Sequence, residues 1–349
     1  MNNTYDPDWE NKNVLITGVC GTVGKELLRQ VVARQPARVV GIDNNESEVF
    51  FLSQEYTDNP NVRLFIGDIR DKDKLIRKMR GIDIVLHAAA LKHVILCEES
   101  PRDAIQSNII GTQNIIDAAQ LNNVERVLFT SSDKAVNPTN VMGTSKLMGE
   151  RLMTAANALR HHDRDPVFAS SRFGNVLGSR GSVIPLFKRQ IASGGPVTLT
   201  SREMTRFIMT LEQAVSLVIQ SVFFARGGEV FVTKMPVVRI EDLAQVMIEE
   251  LAPKYGYDAQ QIEINVIGPK SGEKLFEELM NEEETRRTVE LQDFFVVLPA
   301  FKCIYEEIEY KYPNMTSTGI ENPYNSSVED SMPKEELREY LISNKLLEG

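Results

Sequence analysis

Ser132, Asp133 and Lys134 put a hydroxyl, a carboxyl and an amine on three consecutive residues, and Met142-Gly143-Thr144-Ser145-Lys146 follows at helical distance. Such a cluster can do proton chemistry, because burial and neighbouring charge can separate the proton affinities of an adjacent acid and amine into one donor and one acceptor. Met142 and Lys146 are four residues apart and share one helix face. A thioether has no proton to give and is not a base, so a hydroxyl proton on that face falls to Ser132, Lys146, Asp133 or an ordered water. Taken without their surroundings, Asp133-Lys134 also reads as a solvated loop pair and Lys146 as a surface lysine.

The elements around these residues decide between the two readings. Short runs rich in Val and Ile at 14–17, 39–43, 62–66, 82–87, 127–130 and 167–171 alternate with amphipathic stretches at 23–33, 104–121 and 142–159. That alternation predicts an α/β fold with a doubly wound parallel sheet, helices covering both faces. Ser132-Asp133-Lys134 then follows the fifth strand at its carboxyl end, where open α/β sheets bind ligands. After Phe173 the pattern breaks, with helices expected at 211–224 and 240–251 and a short strand near 263–267. Residues 1–176, completed by about 207–238, are expected to form the nucleotide-binding domain. Residues 177–206 and 239–349 are expected to form a smaller lobe with a C-terminal extension, loop-like over about 311–333.

Gly18, Gly21 and Gly24, with Thr22 and Val23 between the last two, sit where the first strand ends and a helix begins. Glycines there permit a tight turn and let the backbone and the helix N-terminus meet a pyrophosphate. Asp43 ends the second strand, where a carboxylate accepts ribose hydroxyls and repels a 2′-phosphate, so NAD is favoured over NADP. Asp68, followed by Ile69, is placed either to reach an adenine amino group or to cap the next helix. Ala88, Ala89 and Ala90 close the fourth strand with side chains small enough for a cofactor to lie against the backbone, or simply to pack.

The 349 residues carry 39 Lys and Arg against 49 Asp and Glu, a net charge of -10 that argues against nucleic-acid and anionic-membrane surfaces. Cys20, Cys97 and Cys303 have no metal-ligand spacing and the four histidines form no cluster, so no metal is expected and a reduced, cytoplasmic setting fits. No apolar run approaches the roughly 18 to 20 residues that span a bilayer, and a soluble protein is expected.

Longer motifs carry a resemblance. HAAALKHV at 87–94, SNIIGTQNIIDAA at 107–119, SSDKAVNPTNVMGTSK at 131–146, SRFGNVLGSRGSVIPLF at 171–187, MTRFIMTLEQAV at 204–215 and GPKSGEKLFEEL at 268–279 are similar to the nucleotide-sugar 4,6-dehydratases acting on UDP-N-acetylglucosamine. These are extended short-chain dehydrogenases, in which a Tyr usually stands where this chain has Met142; some dehydratases also carry Met there. The resemblance implies oxidation of the sugar at C4, loss of water across C5–C6 and return of the hydride to C6, with NAD ending as it began. It implies Lys134 as the C5 base, Asp133 as the acid at the C6 hydroxyl, Ser132 on the 4-hydroxyl and Lys146 on the nicotinamide ribose. Asn44, Ile69 and Phe173 join the cofactor side.

For the UDP-linked amino sugar the resemblance implies Arg206 on the diphosphate, Lys270 and Glu273 on the nucleotide ribose, and Val183, Pro185, Leu199 and Thr200 around the base. Lys92, Met142 and Asn175 fall near the sugar or its phosphates. Lys270 replaces an Arg of relatives and lacks its planar fork. Asp43-Asn44 resembles the branch that retains configuration at C5 more than the inverting branch. A nucleotide-sugar 4-epimerase, the same reaction on a GDP-linked sugar, and a non-catalytic dinucleotide sensor are the competing readings; a homo-oligomer, dimer or higher, is implied.

Overall fold

A computed structural model describes residues 9–159, 165–178, 182–268, 272–301 and 307–348. Six strands carry the first half: Asn13–Thr17 (β1), Arg38–Asp43 (β2), Val62–Ile66 (β3), Ile84–His87 (β4), Arg126–Thr130 (β5) and Val167–Arg172 (β6). They pair in parallel in the order β3-β2-β1-β4-β5-β6, and Val230–Thr233 adds a further parallel strand beside β6. The order reverses between β1 and β4, which opens a crevice at the carboxyl ends of those strands.

Side chains leave this sheet alternately to two cores. Val14 and Ile16 of β1 bury with Leu27, Leu28 and Val31 of the helix Thr22–Ala33, while Leu15 buries with Ile115 and Ile116 of the helix Gly111–Leu121 on the other face. Cover on both faces is why the strands read as continuous apolar runs. Each fully buried Leu or Ile contributes roughly 1.5–3 kcal/mol over an exposed one. The chain is thus a doubly wound α/β protein.

The helix expected over 104–121 is not continuous. A turn of π-helix, Ile105–Ile110, separates Pro101–Ala104 from Gly111–Leu121. Asn108 lies within it, buried, and its side chain accepts from the Leu91 N–H at 2.8 Å and donates to Ser145 Oγ at 2.9 Å. The wider turn accompanies a polar side chain that ties the 88–93 loop to the helix carrying Lys146.

Phe294–Val297, Thr288–Leu291 and Met315–Ser317 extend the main sheet in antiparallel fashion from Val230–Thr233. Part of 239–349 therefore lies in the sheet and not in the smaller lobe, because Val289, Leu291, Val296 and Val297 bury with the main core. Within the stretch expected as loop, Tyr324–Asn325 also pairs with Glu278–Met280. The smaller lobe has its own core, built by the helices Val183–Ala192, Ile240–Leu251 and Lys334–Ser343 around the paired strands Val197–Leu199 and Ile264–Val266.

A buried ionic cluster binds the end of β6 to two other elements. Arg172 donates to both carboxylate oxygens of Glu150, at 2.8 and 2.6 Å, and to both of Glu284, at 2.8 Å each. Burial alone would loosen the proton on Arg172, but the two carboxylates raise its affinity above the ordinary value.

Candidate active site

The glycine turn is built for close approach. Gly18 has φ +68°, and a Cβ there would lie 2.7 Å from the backbone N and Cα of Ala89; a Cβ on Gly24 would lie 2.0 Å from the Gly18 carbonyl oxygen. The helix Thr22–Ala33 starts at Gly21 without a side-chain cap, so the N–H groups of its first turn, at Thr22 and Val23, are left for an anion. Asp43 clamps the turn: one carboxylate oxygen accepts the Cys20 N–H at 2.9 Å and the other accepts the Asn45 N–H at 3.0 Å, with Asn44 exposed between. Ala88, Ala89 and Ala90 are half-buried at the end of β4, facing this cradle.

Asp68 does not cap the next helix. Asp71 does, accepting from the Lys74 N–H at 2.9 Å, while Asp68 is paired with Arg70 at 2.6 Å. The Arg70 guanidinium holds the Asp68 carboxyl below its ordinary range against the opposing effect of burial. Ile69 is buried beneath Gly111, and Phe173 is buried at the end of β6. Ser131 Oγ, buried beside the reactive turn, has no hydrogen-bond partner among the described residues. An orphaned hydroxyl at the carboxyl end of β5 and a cradle that Cβ atoms would fill both suit a dinucleotide lying across this crevice.

Ser132-Asp133-Lys134 enters a single 3₁₀ turn, Asp133–Ala135, directly after β5. Ser132 Oγ donates to Asp133 Oδ1 at 2.5 Å, and Lys134 Nζ lies 3.1 and 3.2 Å from the two oxygens of the same carboxylate. Asp133 is 1 % exposed, whereas the Lys134 side chain keeps 28 % of its surface open. The helix Val141–Ala158 passes so close to this turn that a Cβ on Gly143 would sit 2.2 Å from the Lys134 carbonyl oxygen. Lys146, four residues on, is buried with Nζ donating to the Thr130 carbonyl at 2.9 Å. Burial pushes the Lys146 ammonium down to about 8, with the Glu150 carboxylate opposing it.

Met142 does not stand open at the site; it is buried in a small apolar cluster with Cys97 and Ala104. The helix Val94–Glu99 covers it and is held there by Glu98, which accepts the Val141 N–H at 2.6 Å.

Glu277 is the residue that sequence reasoning missed. It is 4 % exposed, and its Oε1 lies 3.5 Å from both Lys134 Nζ and Arg206 Nε. Burial opposes charge on Lys134, yet Asp133 and Glu277 overcome it and hold the ammonium above lysine's ordinary value. The two carboxylates thus favour the ammonium form of Lys134, whereas the base role expected of it requires the neutral amine. The signal was present in the motif 268–279, but a glutamate between Phe276 and Leu279 reads as a surface residue until its partners are known.

The residues expected to bind a nucleotide sugar are spread more widely. Arg206 is buried, and its fork is engaged by the protein: Nη1 donates to the Thr205 and Leu275 carbonyls at 2.7 and 3.1 Å, and Nη2 to that of Lys274 at 2.8 Å. Two of these bonds, with the Arg206 Nε to Glu277 contact at 3.5 Å, hold the 273–277 segment near Lys134. Glu273 lies 3.9 Å from Arg206 and accepts from Thr200 Oγ1 at 3.1 Å. Lys270 lies outside the described residues. Leu199 is buried in the lobe's own core, where Val183 packs on it, and Asn175 is half-buried on the short strand Asn175–Val176. Pro185 faces a groove of about 540 Å³ shared with Lys188, Tyr255 and Leu346, none of them near residues of the Ser132–Lys134 turn in sequence. Lys92 is exposed on the loop after β4.

No group of His, Cys, Asp and Glu among the described residues could hold a metal, and no described helix is long and apolar enough to cross a membrane.

Comparison with known proteins gives this geometry a context. A protein of Methanocaldococcus jannaschii, named as an uncharacterized membrane protein, is 52 % identical over 88 % of this chain and 93 % of its own length. A UDP-N-acetylglucosamine 4,6-dehydratase (inverting) of Campylobacter jejuni is 36 % identical over 86 % of this chain and 87 % of its own. Proteins of Rickettsia bellii named UDP-glucose 4-epimerase are also 36 % identical, over 82 % of both chains. The X-ray structure of Pen from Bacillus thuringiensis superposes with a TM-score of 0.89 and 42 % identity, covering 97 % of this chain and 99 % of that one. The model of the polysaccharide biosynthesis protein family matches residues 14–299. The chain belongs to that family.

Proposed function

We propose that this protein is an NAD-dependent 4,6-dehydratase of UDP-N-acetylglucosamine. The observation that carries the reading is the buried Ser132–Asp133–Lys134 cluster at the end of β5, combined with the withdrawal of Met142 into apolar packing. A 4-epimerase, the name borne by the Rickettsia relatives, needs no acid at C6 and no base at C5; an acid and an amine 3.1 Å apart favour dehydration.

The cradle of Gly18, Gly21 and Gly24 with Asp43 suits NAD, which supplies a two-electron acceptor at C4 and a donor at C6. The chain's own residues handle the protons. Ser132 takes the 4-hydroxyl proton and passes its own to Asp133 across their 2.5 Å hydrogen bond. Asp133, now a neutral acid, protonates the C6 hydroxyl, which leaves as water. Lys134 removes the C5 proton and afterwards returns one to C5. Each proton released by the sugar is accounted for without a tyrosine. Lys146 supplies a cation beside the oxidation step.

Purified protein incubated with UDP-N-acetylglucosamine in deuterated water is expected to give a 4-keto product lacking the C6 oxygen and carrying deuterium at C5, read by NMR. A C4 epimer, or no turnover, would sink the dehydratase reading. The same spectrum reads the C5 configuration, for which the Asp43-Asn44 resemblance sets retention as the expectation, against the inverting relative.

Gly18→Ala tests the cofactor site. Left-handed φ costs an alanine about 1–2 kcal/mol, and the overlap with Ala89 must also be relieved. The turn has to move away from the pyrophosphate, so NAD affinity should fall more than about tenfold. Fluorescence titration measures it; an unchanged affinity in a folded variant would move the cofactor elsewhere.

A further inference from the structure

Glu277 is a second carboxyl at the reactive turn, contributed by the far end of the chain. The segment 272–278 is fastened across the turn: Lys274 Nζ donates to the Val136 carbonyl at 2.9 Å, Asn140 donates to that of Gly272 at 3.2 Å, and Asn137 donates to Glu278 at 3.0 Å. On its other side Glu277 is pinned by Ser326, whose Oγ accepts the Glu277 N–H at 2.9 Å and whose own N–H donates to the Glu277 carbonyl at 2.9 Å. The carboxylate therefore has little freedom. It faces Asp133, Lys134, Arg206 and Lys274, and its Oε1 lies 3.5 Å from Lys134 Nζ.

From this geometry we infer that Glu277 is the positioning residue that governs the proton on Lys134, holding the ammonium at rest and taking its proton when the amine turns base. The inference rests on the dehydratase reading above for the second half of that role. The step balances: Lys134 ammonium and Glu277 carboxylate become amine and carboxylic acid, and the pair returns to its first state once C5 is reprotonated and the amine regains the proton held by Glu277. Burial raises the proton affinity of Glu277, and Asp133 adds to it, against Lys134, Arg206 and Lys274. A buried carboxyl that readily holds a proton is suited to receive one from a neighbouring lysine. Asp133 cannot serve twice, since it is engaged with Ser132 and with the C6 hydroxyl.

Glu277→Gln keeps the shape and removes the proton site; Glu277→Asp keeps the acid and shortens its reach. Without substrate, Lys134 is titrated by its rate of acetylation with acetic anhydride across a range of pH, read by peptide mass spectrometry. The midpoint should fall by about one pH unit or more in Glu277→Gln and less in Glu277→Asp, with the plateau rate at high pH unchanged. With UDP-N-acetylglucosamine, kcat of Glu277→Gln should drop on the order of 10²-fold near neutral pH with KM nearly constant. The loss should shrink about tenfold for each pH unit gained, as solvent takes the proton instead. A midpoint for Lys134 that does not move, or a loss of kcat equal at every pH, overturns the inference. Lack of turnover by the unmodified protein sinks the dehydratase reading, and the acetylation midpoint still decides whether Glu277 controls Lys134.

Discussion

Lys134→Ala is expected to lower the rate of C5 deuterium exchange and of water loss from UDP-N-acetylglucosamine by on the order of 10³-fold or more. On the proposed reaction Lys134 is the group that removes the C5 proton, and the glycine cradle contributes nothing to that step. NAD affinity should therefore stay close to that of the unmodified protein. The variant also removes the cation between Asp133 and Glu277, which lie on either side of Nζ at 3.1 and 3.5 Å. Loss of charge alone could thus slow the reaction through the two acids. Lys134→Arg separates the effects, because a guanidinium keeps the positive charge and does not give up its proton. It should preserve the cluster and remain as inactive as the alanine variant. NMR of the product formed in deuterated water measures both; exchange at C5 that survives in either variant removes Lys134 from the base role.

Much of the scaffold was legible because local sequence dictates it. Apolar runs buried on both faces announce a parallel sheet, and Gly18 is the residue that a left-handed turn against Ala89 demands. The reactive turn was legible for a related reason: Ser132-Asp133-Lys134 is contiguous, and the end of β5 is a place where ligands bind. What the sequence hid depends on contacts between distant residues. Glu277 meets Lys134 across 143 positions of sequence, and contacts from Ser326, Lys274, Asn137, Asn140 and Arg206 bring it there. Met142 occupies the expected helix face, but the covering helix Val94–Glu99 turns that face into a core. The bonds from Arg206 to the Lys274 and Leu275 carbonyls likewise join residues about 70 positions apart. The interrupted helix around Asn108 was invisible to periodicity, since a single wider turn leaves the apolar pattern almost intact.

Asp133 and Glu277 gain their proximity from a scaffold that is itself held by charge. Arg172 connects β6, the helix that carries Lys146, and the helix Glu282–Thr285 that follows the Glu277 segment; it also donates to the Leu279 carbonyl at 3.1 Å. Arg172→Met is expected to destabilise the protein by about 3–5 kcal/mol near neutral pH, since it removes the cation bonded to both buried carboxylates and leaves Glu284 only the more distant Arg287, at 4.0 Å. The pH dependence fixes the mechanism. In the unmodified protein burial works to raise the Glu284 carboxyl, but Arg172, helped by the Asn281 backbone and Arg287, outweighs it and holds the group below its ordinary value. That contribution is present above the unfolded carboxylate pKa and is lost as pH falls through the lowered folded one. In Arg172→Met burial acts unopposed by that cation, so the folded state gains a tendency to take up protons as the medium becomes acidic. The deficit should be greatest near pH 7 and narrower at about pH 5, because the Glu284 carboxyl left without Arg172 takes up a proton more readily as the medium becomes acidic. Urea unfolding of both proteins at the two pH values measures it. Replacing Arg172, Glu150 and Glu284 together by apolar residues of similar volume should recover much of the loss. A deficit independent of pH would place the cost in packing around residue 172, not in the two stranded charges.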